Sequence, residues 1–502
     1  METELKFEID AGAVGALSER LALDVEGEAK SLRSVYFDTP KAALHAHGLV
    51  LRVRDDGDRH VQTVKKTRSN GFRRGEWEAE VEGPDPDLKA AAKTPLADEL
   101  GRRKAAALRP AFETCVDRIT RQIVVDGGVI EVALDRGVIE ADDGATPILE
   151  LELELKDGAP EALFDLAREL CGLAPLNLSF ASKAERGYAL LDGGTLAPVK
   201  ARDPMLRRGD DAGTAFKAIA GAALAQIADN ARVLRRARRI EALHQTRVGA
   251  RRLRSALSLF KPMLNDSRVD WVKTELKWLT HEMDEARNLD VFISDTFRPA
   301  VRRPADKTGL APLGRKLIAT QTAGYDRAVA AVESARFRNL VLEICAWIET
   351  GPWTSGDDPA LTALRRRPIR AAAAEILEER RRKIAKRGRK LAELEPLARH
   401  KLRIQAKKLR YACGFFAGLY PGKAAGRLGA YVEVMEGLQD GLGATVDIVA
   451  AESLAVRLAG DAAPEVAYAA GLLAGRREAA AAGTLKAARK AFRRFEKAKP
   501  FW

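Results

Sequence analysis

The stretch Ile148-Leu149-Glu150-Leu151-Glu152-Leu153-Glu154-Leu155-Lys156 places a carboxylate at every second position. Alternate side chains of a β-strand share one face, so Glu150, Glu152 and Glu154 predict an acidic row with neighbours about 6.6 Å apart at a rise of about 3.3 Å per residue. Like charges so close repel, and more strongly when enclosed. A hard divalent cation relieves them: Mg2+ takes carboxylate oxygens and keeps waters for a phosphate-bearing substrate. A shorter form opens the chain, where Glu2, Glu4, Lys6 and Glu8 alternate with Leu5, Phe7 and Ile9. Basic strands supply the opposite sign. Arg52 and Arg54 share a face in Leu49–Arg54, as do Thr63 and Lys65 in Val61–Lys65, and Arg74-Gly75-Glu76-Trp77-Glu78-Ala79-Glu80 is a further strand with its polar residues in register. Brought together, such faces permit metal-assisted phosphoanhydride hydrolysis, whose loose transition state asks mainly for positioning and charge compensation. One metal would bridge phosphates as a Lewis acid and a second would lower the pKa of a bound water. The chain shows no convincing Ser/His/Asp or Cys/His grouping, and Gly418-Leu419-Tyr420-Pro421-Gly422-Lys423-Ala424 is a poor imitation of a Walker loop.

Each strand alone reads as an ordinary solvated face. Together, within some 200 residues, they predict an antiparallel barrel with a polar bore, an apolar outside and flanking helices. Composition marks a second object. Residues 1–200 carry 27 Lys+Arg against 37 Asp+Glu, net −10, whereas residues 201–502 carry 57 against 34, net +23. The Gly- and Pro-bearing join Leu191–Pro204 suits a linker. The predicted class is therefore α+β and multidomain, with a β-barrel domain over 1–200 and an all-α domain over 205–502. Cys115, Cys171, Cys345 and Cys413 are scattered without CxxC spacing and read as free thiols in a reducing compartment. No apolar run approaches the roughly 18 residues of a membrane span, and the chain starts on a charged strand without a signal peptide. A cytoplasmic protein with no membrane partner is expected.

The basic half repeats itself. His244-Gln-Thr-Arg247-Val-Gly-Ala-Arg251-Arg252-Leu253-Arg254 returns 156 residues later as His400-Lys-Leu-Arg403-Ile-Gln-Ala-Lys407-Lys408-Leu409-Arg410. So long a repeat implies two related helical bundles, over about 205–350 and 360–502, rather than a solenoid. On a helix, positions 0, +3, +7 and +10 fall within an arc of roughly 80°. His244, Arg247, Arg251 and Arg254 fill that arc once, and His400, Arg403, Lys407 and Arg410 fill it again. Leu253, Leu257 and Phe260, like Leu409, Cys413 and Phe416, lie opposite and serve packing. The two stripes, with Arg252 and Lys408, are candidates for gripping a polyanion. The stripes lack the interleaved aromatics that bind nucleic-acid bases. Asp290, and Asp440 or Asp447, either orient the arginines or cap helices. His45, His47, His60 and His281 have no such context.

The first half resembles the CYTH superfamily, the triphosphate tunnel metalloenzymes. Glu2-x-Glu4-x-Lys6 matches its ExExK signature. It is followed in order by Tyr36-Phe37-Asp38-Thr39-Pro40, Leu51-Arg52-Val53-Arg54, Thr63-Val64-Lys65, Arg74-x-Glu76-Trp77-Glu78, Ala133-Leu134-Asp135-Arg136-Gly137, Glu150-x-Glu152-x-Glu154 and Ser182-Lys183-Ala184-Glu185-Arg186-Gly187-Tyr188. The pattern looks most like the bacterial inorganic triphosphatases. That resemblance implies Mg2+ or Mn2+ held by Glu2, Glu4, Asp135, Glu150, Glu152 and Glu154. It implies triphosphate gripped by Arg52, Arg54, Lys65, Arg74, Arg118, Lys183 and Arg186, with either Arg118 or Arg121 at one basic position. Lys6, with Glu4 and Glu152, would serve catalysis, Lys6 contacting phosphate or the attacking water.

Residues 205–500 resemble the CHAD domain, the conserved histidine α-helical domain, on the paired His-and-cation motifs and on Met283-Asp284-Glu285-Ala286-Arg287-Asn288-Leu289-Asp290-Val291. Asn288 stands where that family often has Asp. The resemblance implies inorganic polyphosphate bound in a basic pore between two four-helix bundles. The expected function is a metal-dependent tripolyphosphatase with a polyphosphate-binding partner domain that could tether it to polyphosphate granules. The alternatives are a non-catalytic polyphosphate-binding protein, or an enzyme acting on nucleoside or thiamine triphosphates, adenylate cyclisation included.

Overall fold

The computed structural model describes residues 3–70, 73–99, 107–142, 144–192, 197–302, 308–356, 358–460, 463–480 and 484–502. Glu2 lies outside these residues, and so do the side chains of Arg74 and Asp447. The chain divides into two units, Met1–Lys200 with Leu224–Ala237 and Glu333–Ser355, and Ala201–Ala223 with Arg238–Val332 and Gly356–Trp502. Two helical segments from beyond the linker therefore group with the first unit, and one of them, 335–350, ends the first of the two expected repeats.

Nine strands build the first unit: β1 Thr3–Glu8, β2 Glu28–Asp38, β3 Leu49–Asp55, β4 His60–Asn70, β5 Arg73–Val81, β6 Arg109–Val125, β7 Gly128–Ala141, β8 Gly144–Gly158 and β9 Asn177–Leu178. They form one sheet in the order β5-β4-β3-β2-β6-β7-β8-β1-β9, antiparallel at every pairing. Among the described residues β5 and β9 do not pair with each other, so hydrogen bonds do not close the barrel. The sheet nevertheless curls until residues of β1 to β8 line one cavity. Two-residue alternation sorts the faces. Leu5, Phe7, Ile130, Val132, Leu151 and Leu153 are buried on the outside. Helix α1 (Val14–Leu21) supplies Leu17 and Leu21 there, and α2 (Pro160–Leu173) supplies Leu163, Phe164, Leu166 and Leu170. Pro160 at the first turn of α2 suits a position with no intrahelical N–H partner. At about 1.5–3 kcal/mol per buried large side chain, this layer is what lets the sheet turn so many charges inward.

Helix α3 (Lys183–Leu191) starts with a capping box. Ser182 Oγ accepts from Glu185 N at 3.1 Å, and Glu185 Oε2 accepts from Ser182 N at 2.9 Å. Two orphan donors are satisfied reciprocally, which fixes the first turn and with it Lys183 and Arg186. The motif around Asp38 is also architectural. Its buried carboxylate accepts from the backbone N–H of Thr39, Leu44 and His45 and from the Tyr188 hydroxyl, tying β2 to α3. Burial and the facing Asp38 carboxylate push the Tyr188 phenol up.

In the second unit α4 (Ala212–Ala237) contributes its first half. It is followed by α5 (Ile240–Leu259), α6 (Arg268–Glu282), α7 (Asp284–Phe292) and α8 (Leu310–Glu333); α9 (Ala335–Thr350) falls in the first unit. The chain continues through α10 (Ile369–Gly388), α11 (Pro396–Phe415) and α12 (Lys423–Gly441) to the C-terminal helices. The repeat is visible in the backbone. Helices α5 and α11 each span 20 residues and end on phenylalanines of matching conformation, Phe260 at φ −96°, ψ 9° and Phe416 at φ −99°, ψ 7°. Those rings meet edge-on at 6.2 Å, and Leu253, Leu257, Leu409 and Cys413 are buried as their arc predicts.

Gly187 tests how tightly α3 is seated. A methyl group there would lie 2.2–2.5 Å from the Phe112 ring, which is itself held at 4.5 Å by Tyr36 and 5.1 Å by Tyr188. Overpacking costs about 1–3 kcal/mol and outweighs the helix-propensity gain of about 0.8–1 kcal/mol. Gly187→Ala should lower the urea midpoint at unchanged m. A rise in midpoint would show that propensity wins and that the ring yields.

Candidate functional site

The cavity of the first unit has a volume of about 750 Å3. Register decides which charges meet inside it. Lys6 faces Glu152 across β1–β8, Glu4 faces Glu154, and Asp135 on β7 faces Glu150 on β8 and Arg118 on β6. Asp135 and Glu152 form the floor with Glu150 directly behind them, a carboxylate trio that can offer one oxygen each within 4.8 Å of one another. Lys183 sits among them, its ammonium 2.7 Å from Asp135 and 2.9 Å from both Glu150 and Glu152. Arg118 forks onto Asp135 with two contacts of 2.6 Å and reaches Glu152 at 2.5 Å, while Lys6 meets Glu152 at 2.9 Å. Arg186 lies outside the lining. It is buried, bonded to Glu150 at 2.5 Å and to the Pro147 carbonyl, so it positions Glu150 rather than facing the cavity.

Four cations thus surround three carboxylates, Asp135 and Glu150 buried and Glu152 nearly so. Burial alone would raise the carboxyl pKa values. Lys183 and Lys6 overcome it, with Arg118 at Glu152 and Arg186 at Glu150, and hold both glutamates below the ordinary range, Glu152 well below it. Burial opposes the charge of Lys183 and Arg118 as well, and the facing carboxylates push both upward. The opposite wall is cationic. Arg52, Arg54, Lys65 and Lys66 line it, with Lys65 2.7 Å from Glu76, and Arg52 3.9 Å from Glu76 and Glu78. Arg54 is depressed to about 10, first by Arg52, then by burial and Arg118. Among the described lining residues this wall sets four cations, Arg52, Arg54, Lys65 and Lys66, against two carboxylates, Glu76 and Glu78, an imbalance that favours an anion.

Of the sequence candidates, Glu4, Lys6, Arg52, Arg54, Lys65, Arg118, Asp135, Glu152, Glu154 and Lys183 line this one cavity, and Glu150 lies directly behind them. Arg121 points elsewhere, to Glu26 and the Leu21 carbonyl, so the geometry selects Arg118 of the two. Glu131 and Lys156 also line the cavity and were not singled out, though the alternation Glu131-x-Ala133-x-Asp135 carries the signal. Lys156 bridges Glu131 at 3.1 Å and Glu154 at 2.9 Å. The donor set suits a hard divalent cation, because all of it is carboxylate oxygen. The trio is already balanced by Lys183 and its neighbours, whereas Glu4 makes no ion pair with a described residue.

In the second unit both stripes lie on their helices as read. His244, Arg247 and Arg251 are half-buried and Arg254 is exposed on α5; His400, Arg403, Lys407 and Arg410 are half-buried on α11. Burial, Arg287 and Arg251 pull His244 down to about 4, and burial with Arg403 and Lys407 lowers His400. Arg287, on α7, was missed as a member of this group. Arg247 also meets Asp284 at 2.7 Å, and Arg410 meets Glu436 at 3.3 Å. Arg252 departs from the stripe. It is buried, 3.0 Å from Asp203, with its guanidinium 4.8 Å over Phe415, as its position outside the 80° arc allows. Lys408 lies 3.2 Å from Ser258 beside Arg380, and burial with Arg380, Arg254, Lys273 and Lys383 lowers its pKa. Arg380 and Lys383, on α10, stand outside both stripes of the repeated motif. Asp290 is not a cap; it accepts from Gln321 at 2.7 Å and Tyr325 at 2.9 Å.

Residues 1–188 match the CYTH domain family and residues 218–456 the CHAD domain family. An inorganic triphosphatase of Haemophilus influenzae is 30% identical over 194 residues, 38% of this chain and 54% of that protein, so the chain spans about half the length of the curated relative it matches. The solved CHAD domain of the plant Ricinus communis is 29% identical, covering 59% of this chain and 96% of that one with a TM-score of 0.50. A Hippeastrum protein described as an adenylyl cyclase with a dominant triphosphatase activity covers 38% of this chain and 96% of its own at 21% identity and a TM-score of 0.30.

Because Glu150 and Glu152 titrate below the ordinary carboxyl range when folded, they add stability above about pH 4.3 that is lost as pH falls through their folded values. Lys183→Met removes the shared counter-ion. It should cost about 3–5 kcal/mol at neutral pH and move the acid-unfolding midpoint to higher pH, as followed by circular dichroism. An unmoved midpoint would mean that Arg118, Lys6 and Arg186 suffice.

Proposed function

We propose that this chain, a CYTH domain followed by a CHAD domain, is a metal-dependent tripolyphosphatase whose helical half binds inorganic polyphosphate. The observation that carries the reading is one cavity with a carboxylate floor and an under-neutralised cationic wall. Arg52, Arg54 and Lys65 would grip the phosphates along that wall, with Arg118 reaching them from the floor. Tyr36 is the only aromatic residue among the described lining residues, leaving little for a nucleobase to stack on, so inorganic tripolyphosphate suits the cavity better than a nucleotide. Glu4, Glu152 and Glu154, with Asp135 beside them, would hold Mg2+ or Mn2+, and Glu150 would fix Lys183. When bound, the metal supplies Lewis-acid polarisation of a phosphoryl oxygen and a water of lowered pKa. Lys6, paired with Glu152 at 2.9 Å, would donate to a phosphoryl oxygen or orient the attacking water. The geometry disperses charge and positions groups, as a loose phosphoryl-transfer transition state demands.

Polyphosphate would lie along the His244–Arg254 and His400–Arg410 stripes, raising the local supply of substrate or tethering the enzyme to granules. With purified full-length chain, phosphate release from tripolyphosphate should require a divalent metal and exceed that from ATP. Glu4→Gln should lower it by about a hundredfold or more, in keeping with the several kcal/mol a metal supplies, and spare polyphosphate binding. Arg251→Glu with Lys407→Glu should spare hydrolysis, weaken polyphosphate binding and flatten its salt dependence. Equal damage to both activities by both changes would refute the division of labour, and metal-independent release would refute the chemistry.

A polyanion beside His244 and His400 would raise their depressed pKa values against the field of Arg247, Arg251 and Arg287 at the first and of Arg403 and Lys407 at the second. Binding should therefore take up protons and tighten as pH falls below the ordinary histidine value, levelling off for His244 only near its free value of about 4. His244→Ala should reduce the effect. Proton-neutral binding by calorimetry in two buffers of different ionisation heat would remove the histidines from the site.

A further inference from the structure

We infer that Arg232, Arg235 and Arg236 form a second oxyanion site in the first unit, outside the cavity, that takes a phosphoryl group at the Glu8 end of strand β1. The spacing i, i+3, i+4 puts these guanidinium groups on one face of α4, in the part of that helix that belongs to the first unit. All three converge on one carboxylate. Arg232 Nε lies 3.7 Å from Glu8 Oε1, and Arg235 Nη2 and Arg236 Nη2 lie 3.9 and 3.6 Å from Glu8 Oε2. Each distance is that of an ion pair and too long for a hydrogen bond. Arg235 also donates to Asn177 Oδ1, but Arg232 Nε is buried without a hydrogen-bond partner.

The site is sheltered. Side-chain exposure is 14% for Arg232, 16% for Arg235 and 11% for Glu8, rising to 49% only at Arg236. Glu8 faces three positive charges, of which the two at Arg232 and Arg235 are little screened by water, and unbalanced buried charge is costly. Burial and the neighbouring Arg236 and Arg232 depress Arg235, with Glu8 and Glu333 opposing. The oxygens of a tetrahedral oxyanion would supply the acceptor that Arg232 Nε lacks and offer Arg235 and Arg236 acceptors at charge-assisted hydrogen-bond distance. Glu8 does not line the cavity, yet it is the cross-strand neighbour of Glu150 on one side and Asn177 on the other. The site is therefore distinct from the tunnel and adjoins its floor. Its ligand is a phosphoryl group, either free orthophosphate or the end of a polyphosphate chain.

The test is calorimetric titration of the full chain with orthophosphate, and separately with a long-chain polyphosphate, in chloride buffer. Arg52→Ala serves as background to disable the cavity and Arg251→Glu to disable the helical stripe. On these backgrounds, Arg232→Gln with Arg235→Gln should weaken binding about tenfold or more through loss of charge-assisted contacts. Glu8→Gln should tighten binding severalfold, because it removes the competing carboxylate. Binding of orthophosphate identifies the free ion as the ligand; binding of polyphosphate alone, still sensitive to Arg232 and Arg235, identifies the chain end. If the double arginine variant does not fold, Glu8→Gln decides. A purely structural ion pair would leave phosphate affinity unchanged in Glu8→Gln and lower only the melting temperature, which would overturn the assignment. So would phosphate binding that survives the arginine changes and disappears on the Arg52→Ala or Arg251→Glu background.

Discussion

The ammonium of Lys183 among the carboxylates of Asp135, Glu150 and Glu152 is the interaction on which the first unit turns. Three acids from β7 and β8 could not be enclosed without a cation between them, since like charges at such distances repel strongly in a low-dielectric interior. The cation comes from a helix, not from the sheet. The inward charges are therefore best balanced while α3 is docked, adding Lys183 to Arg118 and Lys6 from the sheet, and α3 is docked by its capping box, by Asp38 holding Tyr188 and by the close fit of Gly187 on Phe112. Site electrostatics and tertiary packing are one problem here. On the proposed reading, an anionic ligand entering the cavity would meet groups already neutralised on the floor and would settle against the cationic wall.

What alternation can and cannot reveal is plain from β1 and β8. The period of two assigns Glu4, Lys6, Glu150, Glu152 and Glu154 to one face and the leucines to the other, and the structure keeps every one of those assignments. The 156-residue repeat likewise foretells two helices of equal length with matching ends. Periodicity says which way a side chain points. It says nothing of what stands opposite. Arg186 shares a short motif with Lys183, yet one lines the cavity and the other braces Glu150 from behind. Arg252 belongs to the repeated motif and is drawn into the core by Asp203 and Phe415. Neither partner lies within sequence reach of its arginine.

The boundary between the units was the least legible feature for the same reason. Net charge changes sign near residue 200, and a composition shift finds that point easily. Contacts do not respect it. Leu224–Ala237 and Glu333–Ser355 group with the strand-rich unit, joined to it by contacts such as Arg168 with Glu343 and Asn230 with the Val199 backbone. A charged helix carries no mark in its own sequence of which acid will face it.

The two units solve the same electrostatic problem in different ways. The sheet presents its cations and acids from separate strands, so charge is sorted across a cavity and partly cancelled at the floor. The helices present cations along one face with few acids near, so charge accumulates along a line and depresses the titration of its own histidines. A compact, highly charged anion suits the first arrangement, because it can be surrounded. An extended one suits the second, because each added phosphate meets another turn of helix. That complementarity, more than the net charge of either half, is the physical reason for reading the two as acting on short and long members of one class of ligand.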